Sequence, residues 1–176
     1  MDKKTTLVST AESLFDHHGF NATGMDRLTQ AAGMSSRTLY KHAGSKTALI
    51  VAVLSARDQR FEAQMQEVKS ITGLFEGLEE WVRVEGARGC LFLRARGETG
   101  GEVAEINEAT LAHKTRVRER IEALISAETD EQGDPMLAEQ ILVLFEGATA
   151  AAVYRGVEAV TAARHAAAAL MMRNPS

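Results

Sequence analysis

The chain has 176 residues, with 20 Lys and Arg against 24 Asp and Glu, a formal net charge of −4. Its hydrophobic fraction of 45% and charged fraction of 25% are those of an ordinary globular protein, which excludes a disordered or collagen-like chain. The single cysteine, Cys90, excludes an intramolecular disulfide framework.

The charge is unevenly divided. Residues 1–60 hold eight Lys and Arg and five Asp and Glu, a balance of +3, and the remainder holds twelve and nineteen, a balance of −7. A mildly basic head on an acidic body is the division expected when a small domain touches DNA and the rest does not. Only two prolines occur, Pro135 and Pro175, alanine is abundant and β-branched runs are scarce, so the chain is expected to be all-α. The N-terminus MDKKTTLVST leads into amphipathic rather than continuously apolar sequence, so no secretory leader is expected. No apolar run is expected to reach the roughly 18–20 residues that span a bilayer. A cytoplasmic protein with no membrane partner follows.

Leu7, Ala11, Leu14 and Phe15 fall at helical spacing and predict a helix over residues 4–18, stopped by Gly19 and followed by Phe20 as an anchor. Residues 23–46, TGMDRLTQAAGMSSRTLYKHAGSK, carry three start signals close together. Thr23 with Asp26 makes a capping-box-like pair, Ser35 precedes a short polar helix, and Ser45 precedes the run beginning at Lys46. Between the first two of these helices, Ala31-Ala32-Gly33 allows close approach, and Gly33 can take the positive φ that ends a helix sharply. The spacing predicts helices over 24–32 and 36–42 at a steep angle, the geometry of a groove-reading helix-turn-helix.

A long helix is expected over 46–69, with Ile50, Val53, Leu54, Phe61, Met65 and Val68 in a stripe that Arg57 interrupts. Leu74, Phe75, Leu78, Trp81 and Val82 predict a helix over 74–86. Gly89-Cys90-Leu91-Phe92-Leu93 is helix or strand by periodicity, read here as the start of a helix ending before Gly100-Gly101. Val103, Ile106, Val117, Ile121, Leu124 and Ile125 predict a helix over 102–127, then a loop over Glu128 to Asp134, with Pro135 in the first turn of the next helix.

Residues 135–155 are apolar on two faces, Leu137, Ile141, Leu144, Phe145 and Ala148 on one and Met136, Val143, Gly147, Ala150 and Tyr154 on the other. Gly156 breaks the chain before an alanine-rich helix over 157–173. Val143, Gly147, Ala150, Ala151, Tyr154, Ala166, Ala167 and Leu170 are therefore expected to meet a second copy in a two-fold four-helix interface. The domains predicted are 1–46, a DNA-binding helix-turn-helix, and 47–176, a helical regulatory and dimerising body.

Ala11, Leu14-Phe15, Gly19-Phe20, Thr23, Leu28, Ala31-Ala32-Gly33, Ser35, Thr38-Leu39-Tyr40, His42, Ser45-Lys46 and Leu49 together resemble the tetracycline-repressor (TetR) family of bacterial transcription regulators, over about residues 8–54. Ala43 departs from the pattern, since the family usually has a large aromatic there. Arg88-Gly89-Cys90, His113-Lys114, Asp134-Pro135 and Glu146-Gly147-Ala148 are similar to a subset of the same family. The resemblance implies a three-helix head, a connecting fourth helix and a dimerising last helix pair. It also implies a body that takes a small molecule and releases DNA in response.

Recognition falls to residues 36–42, whose N-terminal end should face base edges. Arg37 is the candidate for a bidentate guanine contact, and Thr38 for a thymine methyl or a phosphate. Tyr40, Lys41, His42 and Lys46 suit phosphate, as do the hydroxyls of Ser35 and Ser36, the backbone N–H of Thr23, and Arg27 on the preceding helix. The alternatives for Ser35 and Tyr40 are a plain N-cap and a partly core ring.

In the body, Phe61, Met65, Trp81, Phe92, Leu93, Leu111 and Phe145 are candidates for lining an apolar or amphipathic effector site, with plain core as the other reading. Cys90 reads as inert rather than oxidant-sensing. His113 and His165 lack ligand-spaced partners, so no metal and no cofactor is expected. The Lys114-Arg116-Arg118-Arg120 run reads as a solvated surface.

The expected function is a homodimeric regulator, a repressor that binds a palindromic operator in double-stranded DNA and is released by an effector. The alternatives are a helical enzyme acting in a body pocket and a ligand-independent dimeric DNA-binding protein. No phosphate-cradling glycine motif or recognisable nucleophile motif supports the enzyme.

Overall fold

The computed structural model describes residues 2–129 and 134–173, and among them every regular element is helical. The order is α1 (Lys3–His18), α2 (Met25–Ala31), α3 (Ser36–Ala43), α4 (Lys46–Met65), α5 (Ile71–Glu85), α6 (Leu91–Glu98), α7 (Ala104–Thr129), α8 (Pro135–Arg155) and α9 (Val157–Arg173). The all-α expectation holds.

Local chemistry moves three boundaries from where periodicity put them. Helix α4 stops at Met65, where the Val68 amide closes a turn on the Met65 carbonyl. Helix α5 begins at Ile71 because Ser70 caps it, its hydroxyl accepting from the Gly73 amide at 3.0 Å. Helix α7 continues through Glu128 and Thr129, expected in a loop, and Thr129 donates its hydroxyl back to the Ile125 carbonyl. The rest of that expected loop, 130–133, lies outside the described residues, as does Pro175.

The chain forms two compact units, Met1–Arg60 with Leu91–Ala112, and Phe61–Cys90 with His113–Ser176. In the first, α1 packs on α2 and α3, and Leu7, Ala11, Phe15, Phe20, Leu28 and Leu39 are buried. Phe15 and Phe20 stack with ring centroids 4.8 Å apart, so the residue after the Gly19 stop does anchor the turn. Asp2 caps α1, its carboxylate accepting from the amides of Lys4 and Thr5. The Thr5 and then the Lys4 amide hold that carboxyl below the usual carboxylate range, with His42 of α3 adding a smaller effect. A folded-state pKa depressed in this way stabilises the cap at neutral pH, and the contribution is lost as pH falls through the lowered value.

Arg57, which interrupts the α4 stripe, has its reason in α1. Its guanidinium lies 3.0 Å from the Glu12 carboxylate, and Arg60 reaches the same oxygen at 2.6 Å. Both Arg57 and Glu12 are buried. A carboxylate carried into a core needs a cation and hydrogen bonds there, and α4 supplies both.

The second unit is built on α8 against α9 and α5 against α9. Its core joins Phe61, Met65, Leu74, Phe75, Leu78, Val117, Ile121, Ile141, Phe145 and Val160. Phe61 meets Trp81 edge-on at 5.2 Å, and Phe75 meets Phe145 at 5.9 Å. The basic run on α7 is not simply solvated. Lys114 pairs with Glu146 of α8 at 2.7 Å, and Arg120 donates to Glu62 and to the Met65 carbonyl at the end of α4. Arg116 and Arg118 are exposed as expected, Arg118 being paired along its own helix with Glu122.

Helix α8 corrects the expectation that no stretch could span a bilayer. Its 21 residues, with a mean hydropathy of 1.5 over the most apolar window, are long and apolar enough by length and composition. The inner side of this helix lies in the core of the second unit, and Glu146 is held by Lys114, as in a core helix that leaves a second apolar face uncovered.

Removing Arg57 leaves Glu12 with weaker, half-exposed compensation from Arg60. Arg57→Ala should destabilise the protein by about 3 kcal/mol in urea titration, whereas Glu12→Leu with Arg57→Met should cost markedly less, because no buried charge is stranded.

Candidate nucleic-acid interface

Helix α2 ends by a route set by one residue. The Gly33 amide donates to the Gln30 carbonyl at 3.2 Å and the Met34 amide to the Thr29 carbonyl at 3.1 Å, with Gly33 at φ +62°. This nested pair of bonds is a Schellman closure, which needs a left-handed residue where Gly33 stands. It turns the chain within Ala32–Ser35 and delivers it to α3.

Ser35 then caps α3, its hydroxyl accepting from the Thr38 amide at 3.2 Å and bonding the Thr38 hydroxyl at 2.9 Å. At the far end, the Gly44 amide closes on the Tyr40 carbonyl, and Ser45 caps α4 by accepting from the Ala48 amide at 3.0 Å. The two serine caps are where the sequence places them.

The first start signal is corrected. Thr23 does not cap α2, whose N-cap is Gly24 without any side-chain hydrogen bond. The Thr23 hydroxyl is fully buried and donates back to the Gly19 carbonyl at 2.7 Å. A threonine hydroxyl can satisfy the carbonyl four residues behind as readily as an amide ahead, and here it ties α2 to the turn after α1.

Leu39 and Ala43, four residues apart, are the buried positions of α3 and fix its inner face. Arg37 and Lys41, also four apart, are exposed on the opposite side. Ser36 and Tyr40 flank them on one edge, Tyr40 being 50% exposed, and Thr38 and His42 are half-buried on the other. Arg27 is exposed on α2, and Lys46 is half-buried at the first residue of α4. Exposed cations on a short helix stapled from beneath can meet phosphates and base edges without disturbing the fold. Ala43, where the resemblance expects a large aromatic, is itself buried, so the inward position is kept with a smaller side chain.

The body candidates separate. Phe61, Met65, Trp81 and Phe145 come together in the second unit, joined by Phe75 and by His113, whose ring stands 5.6 Å from Phe61. Phe92, Leu93 and Leu111 belong to the first unit, Phe92 buried and the other two exposed. The second unit also carries an open groove of about 480 Å³ between the end of α4 and α7, lined largely by charged side chains, among them Glu62, Lys69, Arg116, Glu119 and Arg120.

Of the residues expected at an interface between copies, Val143, Gly147, Ala150 and Tyr154 form one exposed stripe on α8, with Tyr154 78% exposed. Ala151 and Leu170 are half-buried and Ala166 is exposed. Ala167 is corrected: it is fully buried in the core of its own protomer, because α9 turns that side toward α5 and α8. Two contacts that the sequence did not single out, the ion pair of Arg94 with Asp16 and the hydrogen bonds of Glu98 with Asn21, hold the turn that enters α2. Their partners lie 78 and 77 residues apart, beyond any local signal.

Residues 7–53 match the family model described as bacterial regulatory proteins, tetR family. Over 53 residues the chain is 38% identical to the HTH-type transcriptional activator FasR of Mycolicibacterium smegmatis, covering 30% of this chain and 24% of that protein. Over 64 residues it is 31% identical to the HTH-type transcriptional regulator UidR of Escherichia coli, covering 36% and 33%. The chain thus matches these curated relatives over a third of their length or less. Its fold is similar over nearly the whole length to that of SCO4454, a TetR-family transcriptional regulator from Streptomyces coelicolor, with a TM-score of 0.89, 24% identity and coverage of 99% and 96%. Reduced NemR of E. coli aligns with a TM-score of 0.76 at 20% identity, covering 95% of each chain.

Ser35→Ala removes the α3 cap and should cost about 1 kcal/mol of stability in thermal or urea unfolding, while Ser35→Asp should retain most of it.

Proposed function

We propose that the chain, whose residues 7–53 match the tetR family of bacterial regulatory proteins, is a homodimeric, DNA-binding transcriptional regulator of that family that acts as a repressor. In this reading residues 1–46 are the DNA-binding domain and 47–176 the regulatory and dimerising one. The observation that carries it is α3 itself, held from beneath by Leu39 and Ala43 and presenting Arg37 and Lys41 outward after a glycine-closed turn. Arg37 reads guanine in the major groove of double-stranded DNA. Tyr40, Lys41, His42 and Lys46 take phosphate, with Arg27, Ser35, Ser36 and Thr38 at the edges of the contact; Thr23, expected there from the sequence, is fully buried and takes no part.

The stripe of Val143, Gly147, Ala150 and Tyr154 supports a second copy packed on α8, with Ala151, Ala166 and Leu170 at its border. Small residues at helical spacing let two such faces approach closely, and a two-fold pair of heads reads a palindrome. Release by an apolar or amphipathic small molecule, and a cytoplasmic setting, complete the proposal. The regulator reading stands ahead of an enzymatic one because the family match falls on the very helices that present Arg37 and Lys41.

Selection of bound duplexes from a random pool at near-physiological salt should yield a palindrome. Arg37→Ala should cost about 1–3 kcal/mol on it and blur one symmetric position. Lys46→Ala should weaken all duplexes alike and flatten the salt slope by about one phosphate contact. Unchanged binding in both variants overturns the site assignment, and a pool that yields no enriched sequence overturns operator reading.

Val143→Arg places a charge in the middle of the α8 stripe. Sedimentation should show a dimer for the unaltered chain and a monomer for the variant, and the variant should lose its preference for the full palindrome over a half-site.

A further inference from the structure

Helix α6 reaches the turn between α1 and α2 with two charged side chains one helical turn apart. The Arg94 guanidinium donates from Nη1 to Asp16 Oδ1 at 3.0 Å and to the Asp16 carbonyl at 3.2 Å, and from Nη2 to the Phe15 carbonyl at 3.3 Å. The carbonyls at the end of a helix have no partner within it, so Arg94 closes α1 from outside. Four residues on, the Glu98 carboxylate accepts the Asn21 amide at 2.9 Å, and the Asn21 side chain donates to the Glu98 carbonyl at 2.6 Å.

Between these two grips sits Gly19, at φ +84°. A Cβ there would fall 2.9 Å from Glu98 Oε2 and would push the carboxylate aside, and the positive φ itself favours glycine. The hold then passes forward. Thr23, at the threshold of α2, hangs by its hydroxyl from the carbonyl of that same Gly19, and α2 leads through the Gly33 closure to α3.

We propose that Arg94 and Glu98 are positioning residues of the helix-turn-helix: they fix the path from α1 into α2, and through it the presentation of α3, without touching DNA themselves. The reach of this proposal into affinity rests on the DNA-binding reading above. The geometry it starts from does not.

The test compares the unaltered chain with Glu98→Ala, Glu98→Gln and Arg94→Ala, using as probe the duplex that the unaltered chain selects. Glu98→Ala should lose about tenfold in affinity, the scale of one hydrogen bond to a charged group. Glu98→Gln keeps an acceptor for the Asn21 amide and should recover most of the loss. The salt slope should not change in any variant, because no phosphate contact is removed. A changed slope would mean direct contact with DNA and would overturn the positioning role. Wild-type affinity in both Glu98→Ala and Arg94→Ala would overturn it too.

Amide hydrogen exchange separates this from failure of the DNA reading. Should the unaltered chain select no duplex, faster exchange at Asn21 and along α2 in Glu98→Ala, restored in Glu98→Gln, still supports the hold on the turn, and unchanged exchange refutes it. Asn21→Ala removes one of the same bonds from the exposed partner and serves where Glu98→Ala does not fold.

Discussion

The first unit depends on one carboxylate that has been taken out of water. Glu12 lies buried on α1, and two arginines of α4 converge on it. A buried carboxylate is tolerable only in a fixed arrangement of cations and donors, so this contact dictates where α4 lies along α1. Sliding α4 by one residue would rotate Arg57 off the carboxylate and strand the charge. Apolar packing of Leu7, Ala11 and Phe15 is far more permissive of such slips. Because α1 also packs on α2 and α3, both the α2–α3 pair and α4 take their places from the same helix.

From that fixed frame the outer face of α3 is obtained almost at no structural cost. Two buried side chains, a serine cap and a glycine closure suffice to hold eight residues, leaving Arg37, Tyr40 and Lys41 unburdened by the fold. Residues free of packing duties can vary without unfolding the head, whereas Leu39, Gly33 and Glu12 cannot. The division between what holds the motif and what the motif displays therefore runs residue by residue along a helix of two turns.

What could be read in the sequence was what is decided within a few residues. The Gly33 closure and the Ser35 and Ser45 caps each depend on partners no more than a turn away, and each stands where its pattern points. Thr23 shows the limit of such templates, because the same hydroxyl can bond backward or forward and only the packed structure chooses. Ala167 shows another. In an alanine-rich helix the two faces differ too little in hydrophobicity to say which is inward, and of the neighbouring pair Ala166 is exposed and Ala167 buried. Arg57 looked like an interruption because its justification lies on another helix. Arg94 and Glu98 gave no signal at all, since their partners are brought near only by folding. The aromatic residues of the body were legible as apolar, but an apolar ring packed in a core and one lining a site have the same sequence.

The edge-on contact between Phe61 and Trp81 also determines how this protein reports on itself. Trp81 is the single tryptophan of the chain, and it belongs to the second unit. Indole emission therefore watches one half of the molecule. Loosening of the helix-turn-helix is dark in that channel, and a coincident signal from the backbone would be needed to tell concerted melting from melting of the body alone. The two tyrosines divide between the units, Tyr40 on the exposed edge of α3 and Tyr154 on the exposed stripe of α8. The tryptophan thus reports on the edge of one unit's core, and the two tyrosines on exposed faces.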